Sequence, residues 1–113
     1  QLGKKYSIYE EGGIQVGQQF QTDTGPIDIL TIRNDSKEFR VIELKKGRAS
    51  DAVVGQIQRY MGYIKDEVAA FDQKVKGTII ALDNDIRIKR ALRVNQDIDF
   101  YKYKIDFRLE KPF

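Results

Sequence analysis

The sequence predicts a mixed α/β fold, a mixed β-sheet flanked by helices with elements in the order βββαβαβ. Three observations lead there. Three strand-like segments follow one another between residues 14 and 45, a long amphipathic helical pattern comes next, and a buried apolar run, Lys74 to Leu82, follows that helix. Consecutive strands joined by short turns pair antiparallel, whereas strands separated by a helix pair parallel through a crossover.

Residues Ile14 to Thr22 alternate loosely and suit a half-exposed first strand, closed by the turn Asp23-Thr24-Gly25-Pro26. The second strand runs from Ile27 to Ile32, and Arg33 to Lys37 has the composition of a hairpin loop leading to the third, Glu38 to Lys45. Lys46-Gly47-Arg48 is expected to break that strand, and Ser50 or Asp51 to cap the helix that follows. There Val53, Ile57, Met61, Ile64, Val68 and Phe71 recur at three- and four-residue spacings, an apolar stripe for packing on the sheet, with Gly55 and Gly62 for close approach. Gln56, Tyr60 and Tyr63 form a neighbouring stripe. Asp83-Asn84-Asp85 is expected to cap a basic helix from Ile86 to Val94, and Ile98 to Leu109 alternates as a fifth strand.

At 113 residues, with 41% apolar and 33% charged residues, the chain is of a size and composition for one soluble domain spanning 1–113. It contains neither cysteine nor histidine, which removes disulfides, thiolate or imidazole metal sites, and Ser-His-Asp or Cys-His catalysis. Any metal must take oxygen ligands, which suits Mg²⁺ or Mn²⁺. The net charge is only +3, but 20 basic and 17 acidic residues can segregate into patches that bind a polyanion. No segment is apolar over the roughly 18–20 residues a membrane helix needs, so a soluble, cytoplasmic protein with no membrane partner is expected.

Charge inside the apolar strands carries the functional signal. Asp28 opens the second strand, in Gly25-Pro26-Ile27-Asp28-Ile29-Leu30; Glu43 and Lys45 lie in the third, in Val41-Ile42-Glu43-Leu44-Lys45. Period-two alternation puts Glu43 and Lys45 on one face, with Ile42 and Leu44 on the other supplying core contacts. Unpaired charge in a strand core costs several kcal/mol, so the three residues require pairing or an ion. Phosphodiester hydrolysis needs carboxylates to hold a divalent cation, a group to polarise the attacking water, and charge at the transition state, all of which this set offers. A buried ion pair or an exposed edge strand is the alternative at these positions.

With Gly25–Leu30, Val41–Ala49, Gly55-Gln56-Ile57-Gln58-Arg59-Tyr60-Met61-Gly62 and Lys76–Ala81 set side by side, the chain resembles the PD-(D/E)xK nuclease superfamily. Within it, nearly the whole chain is similar to the C-terminal nuclease domain of NucS-type, EndoMS-like endonucleases. The resemblance implies a restriction-endonuclease-like fold and Mg²⁺- or Mn²⁺-dependent DNA cleavage in repair or in processing of branched or mismatched DNA. Asp28 and Glu43 would be the metal ligands, and Lys45 would act on the attacking water or on developing charge. The family's Q-x-x-x-Y element falls on Gln56 and Tyr60, which would position the site or the scissile backbone.

Lys46 and Arg48, beside the expected helix N-terminus, are candidate nucleic-acid contacts. Arg87, Lys89, Arg90 and Arg93 form a basic helix face, and Tyr101 and Tyr103 alternate with Lys102 and Lys104. The chain departs from the family where relatives carry a glutamate in a G-x-E context and it reads Gly17-Gln18-Gln19. Relatives also place a helix before this strand, which a fragment beginning at Gln1 is expected to lack. The expected partner is DNA, joined by a second copy or a further domain of a longer protein. The competing expectations are a catalytically weakened nuclease-fold DNA-binding module and a structural or protein-interaction domain.

Overall fold

A computed structural model of the chain describes residues 2–113. Helix α1 (Leu2–Lys5) leads to β1 (Tyr6–Ile8), β2 (Glu10–Glu11), β3 (Ile14–Gln15), β4 (Gln18–Thr22), β5 (Gly25–Arg33) and β6 (Glu38–Ala49). Then come α2 (Ala52–Glu67), β7 (Lys74–Asn84), α3 (Ile86–Arg93) and β8 (Ile98–Lys102). The main sheet has six strands in the order β1-β5-β6-β7-β8, with β4 also on β5. β5 pairs antiparallel with β1, β4 and β6, while β6, β7 and β8 run parallel. From β4 onward this is the expected βββαβαβ mixed sheet.

The core lies between one face of the sheet and the two helices. Ile27, Leu30, Phe39, Val41, Ile79 and Ala81 meet Val53, Val54, Ile57, Tyr60 and Ile64 of α2 and Ile88 of α3 in one buried cluster. Because Phe39 and Val41 belong to it, the helix-facing side of β6 is the side that also carries Glu43 and Lys45. This corrects the expectation for Ile42 and Leu44, which lie outside the cluster, Leu44 being 46% exposed. Apolar residues occupy both sides of β6, so alternation alone could not choose the core side. On the opposite side Glu38 and Arg40 are buried but paired. Glu38 accepts from Tyr6, from Arg33 at 3.2 Å and from Arg40 at 3.1 Å, and Arg40 also reaches Thr78 at 2.8 Å and Asp99 at 3.1 Å.

Five further expectations shift. Lys46-Gly47-Arg48 does not end the strand: pairing with β7 resumes at Arg48–Asp83 and Ala49–Asn84 after a register shift past Lys45. The α2 stripe stops short of Phe71, which lies beyond the helix and is 95% exposed. Asp51 occupies the α2 N-cap position without a side-chain cap bond, whereas Asp85 caps α3 by accepting from the Ile88 N–H at 2.8 Å. Close helix-to-sheet approach is made at Gly77 rather than Gly55 or Gly62, since a Cβ there would stand 2.9 Å from both Ile57 and Met61. The fifth strand ends at Lys102, so Ile105, Phe107 and Leu109 of its expected length are exposed and outside any strand.

Candidate active site

Three neighbouring strands bring polar residues into one row. The pairs Gln18–Ile29 and Phe20–Ile27 set Gln19 of β4 opposite Asp28 of β5, and continuing the Ile29–Ile42 register by one residue sets Asp28 beside Glu43 of β6. Regular β5–β6 pairing stops at Ile29–Ile42, and Asp28 takes over beyond it: its Oδ2 accepts the Leu44 N–H at 2.9 Å. Its other oxygen, Oδ1, accepts from Gln19 Nε2 at 3.4 Å. Gln19 itself has φ 51°, a left-handed conformation costly for a residue with a Cβ, so its backbone is strained beside a candidate ligand.

Glu43 is 4% exposed, and its two oxygens differ. Oε2 lies 3.4 Å from Lys45 Nζ, while Oε1 is buried with no hydrogen-bond partner. Burial, and then the negative charge of Asp28, push the Glu43 carboxyl above the usual range, with the Lys45 ammonium opposing them. A buried carboxylate oxygen without a donor is costly.

Helix α2 completes the set. Lys45 Nζ donates to Gln56 Oε1 at 3.3 Å, and Gln56 Nε2 donates to the Tyr60 hydroxyl at 3.3 Å. One helical turn separates Gln56 from Tyr60, so a continuous polar chain runs Glu43–Lys45–Gln56–Tyr60. Tyr60 differs from its expected place on a polar stripe, since its ring is buried in the core at 3% exposure and only its hydroxyl joins the chain. All five candidate catalytic residues are thus linked, with Asp28 and Glu43 adjacent and Lys45, Gln56 and Tyr60 behind Glu43.

An open cleft of about 600 Å³ reaches this row from the other side of the sheet, lined by Gln19, Asp28, Leu44, Lys45, Lys46 and Tyr103 among others. Lys46 is exposed on its rim, and its carbonyl accepts from the Tyr103 hydroxyl at 2.6 Å. Arg48 lies away from the cleft lining, 3.6 Å from Asp83, which also holds Lys102 at 3.4 Å. Both basic residues stand on β6 rather than in a loop at a helix N-terminus, because the strand continues through them. Gln19, which stands where relatives carry a glutamate, and Tyr103, noted in the Tyr/Lys alternation, both line this cleft. Among the described residues no group of three or more Asp, Glu, His or Cys is placed to hold a metal ion.

Residues 2–106 match the family described as the endonuclease NucS C-terminal domain. Endonuclease NucS of Methanocaldococcus jannaschii is 32% identical over 74 residues, covering 66% of this chain and 27% of the relative. Endonuclease NucS of Methanopyrus kandleri is 26% identical over 106 residues, covering 94% of this chain and 36% of the relative. A repair endonuclease from Pyrococcus abyssi superposes with a TM-score of 0.64 at 24% identity, over 77% of this chain and 36% of that one. EndoMS in a complex with double-stranded DNA superposes with a TM-score of 0.68 at 23% identity, over 92% of this chain and 38% of that one. These structural likenesses establish the fold, and the chain spans well under half the length of each relative.

Proposed function

The chain belongs to the endonuclease NucS C-terminal domain family, and on that premise we propose that it is the nuclease module of a DNA endonuclease that hydrolyses phosphodiester bonds with Mg²⁺ or Mn²⁺. The carrying observation is the buried, unpartnered Oε1 of Glu43 beside Asp28, in a chain without cysteine or histidine. Mg²⁺ is commonly held by one or two carboxylates, with waters and substrate phosphate completing its shell, so a two-carboxylate site fits it. The PD-(D/E)xK assignment follows from Asp28, Glu43 and Lys45 taken in that order.

A divalent cation at such a site supplies a bound water of lowered pKa and positive charge against the phosphoryl oxygens. The protein's residues do the rest. Asp28, anchored through Oδ2 to Leu44, presents Oδ1 as a ligand, and Glu43 presents Oε1. Lys45 offers its ammonium to the attacking water or to the phosphoryl oxygen gaining charge, an electrostatic contribution strengthened by its partly buried position. Gln56, fixed by Tyr60, holds the Lys45 head group in place. DNA is the proposed partner, on the strength of the family and of the EndoMS relative solved with double-stranded DNA.

A second reading, a catalytically weakened DNA-binding module, is favoured by the neutral Gln19. Incubating the chain with Mg²⁺ or Mn²⁺ and a panel of mismatched, branched, single-stranded and duplex DNAs separates the two. Cleavage of any member that is abolished by chelator supports the nuclease. Binding without cleavage across the panel supports the weakened module.

A further inference from the structure

Beyond Tyr103 the chain leaves the sheet. The Tyr103 N–H still donates to the Ala81 carbonyl at 3.0 Å and its hydroxyl donates to the Lys46 carbonyl, which fixes the root of the last segment beside the carboxylate cleft. From Lys104 on, no described strand pairs with it, and Ile105, Phe107 and Leu109 are 56%, 83% and 99% exposed. These three alternate with Lys104, Asp106, Arg108 and Glu110, so an extended backbone puts every apolar side chain on one side and every charge on the other. Solvated tails are poor in large apolar residues. Period-two apolar spacing is instead the pattern of a strand that buries one face, and this strand lacks its neighbour.

The order of the charges identifies that neighbour. Antiparallel pairing of the segment with a second copy of itself, about a two-fold axis at Phe107, sets Lys104 opposite Glu110 and Asp106 opposite Arg108, each twice. Ile105 then meets Leu109, and the two Phe107 rings meet across the axis, so every cross-strand pair is favourable. Moving the axis to Asp106 or to Arg108 opposes that charge to itself, and placing it between two residues sets apolar against charged side chains. Parallel in-register pairing opposes each charge to its own kind. Pro112, which has no N–H to give, bounds the ladder beyond Glu110.

We propose that residues 104–110 are a dimerisation strand, which pairs antiparallel with the same residues of a second copy of this chain about an axis at Phe107. Backbone groups left without a ladder then find partners, and Asp106 and Arg108, 3.4 Å apart in solvent, are each drawn into a cross-strand ion pair. A two-stranded ribbon is marginal by itself, so the dimer is weak and depends on concentration. Because Tyr103 anchors the root, the ribbon joins two copies beside their carboxylate clefts. Pairing needs neither metal nor DNA, so it stands or falls apart from the nuclease reading.

The test is sedimentation equilibrium of the full chain, without metal or DNA, over a range of concentrations, in which the mass should rise from one chain toward two. Asp106→Arg and Arg108→Asp each set like charges opposite one another twice, and each should weaken the dimer about tenfold. Mixing the two variants restores opposite charges at both positions and should restore the dimer. The segment is exposed and outside the sheet, so both variants should melt as wild type does. Phe107→Cys, in a chain with no other cysteine, should crosslink two copies when oxidised with diamide, because opposed residues stand about 5 Å apart, within disulfide reach. Ile105→Cys should not, since its two copies lie four residues apart along the ribbon, about 13 Å. Wild type that stays monomeric at every concentration, or a dimer that neither charge variant weakens, would overturn the proposal. Equal crosslinking by both cysteine variants would overturn it too, as chance encounter of two tails. A monomer whose amides at 104–110 resist hydrogen exchange would reassign the segment to its own sheet.

Discussion

Asp28 on β5 accepts the backbone N–H of Leu44 on β6 at 2.9 Å, at the point where the two strands cease to pair. A side chain thus replaces a ladder hydrogen bond, and one carboxylate oxygen is fixed before any ligand arrives. Asp28→Asn keeps an oxygen acceptor for Leu44 and removes the charge. It should melt within a few degrees of wild type and lose Mn²⁺ binding. Asp28→Ala also removes the acceptor and should cost about 1–2 kcal/mol in urea unfolding. Equal Mn²⁺ affinity in Asp28→Asn and wild type would remove Asp28 from the site.

Lys45 lies on the core side of β6 with its side chain only partly exposed, so its removal tests packing as well as chemistry. Lys45→Met retains the stem and discards the ammonium. Cleavage is expected to fall by about 10²-fold or more, with DNA affinity changed much less. Loss of fold in this variant would assign Lys45 to a structural ion pair with Glu43.

Gln56 and Tyr60 separate along the same lines. Gln56 is half-buried and its bonds run to Lys45 and Tyr60, so Gln56→Ala should lower the cleavage rate while shifting stability by about 1 kcal/mol or less. Tyr60→Ala empties a core position and should cost about 3–5 kcal/mol, whereas Tyr60→Phe should retain most of the stability. A Gln56→Ala enzyme with wild-type turnover would show that the polar chain does not set the position of Lys45.

Glu43 gives the pH dependence. Burial, with the charge of Asp28 second, raises its folded carboxyl above the ordinary glutamate value of 4.5, so the folded state favours the protonated form. Without metal, the destabilising contribution of Glu43 is absent below that value, and stability is lost as pH rises from it through the raised folded value. In chelator, Glu43→Gln should therefore melt higher than wild type at neutral pH and flatten this part of the profile. A lower melting point for Glu43→Gln at neutral pH would mean that its pairing with Lys45 outweighs burial.

The strands of the site, the long helix and the parallel crossover were legible because turn residues and apolar periodicity are local signals. Glu43 and Lys45 share one strand, so their common side follows from local spacing, and Asp28 stands out as a charge in an apolar strand, whereas Gln56 is marked as a site residue by the family resemblance. Other features depend on partners distant in sequence. Lys46-Gly47-Arg48 has the composition of a break, yet Arg48 and Ala49 find Asp83 and Asn84 on β7. Ile105, Phe107 and Leu109 alternate like a strand, but beyond Lys102 no described strand pairs with them. The short strand Tyr6–Ile8 carries little pattern of its own and is held by register with Thr31–Arg33 and by the Tyr6–Glu38 bond. The left-handed backbone of Gln19 leaves no mark in the sequence, since Gln is not a residue type that favours that conformation.

Calorimetric titration of Mn²⁺ into the metal-free chain, alongside Asp28→Asn and Glu43→Gln, tests most directly whether the two carboxylates form the metal site on which cleavage depends. Wild type should bind one ion, and each variant should lose that binding while remaining folded. Wild-type binding retained in both folded variants, or no binding by wild type itself, would contradict the site.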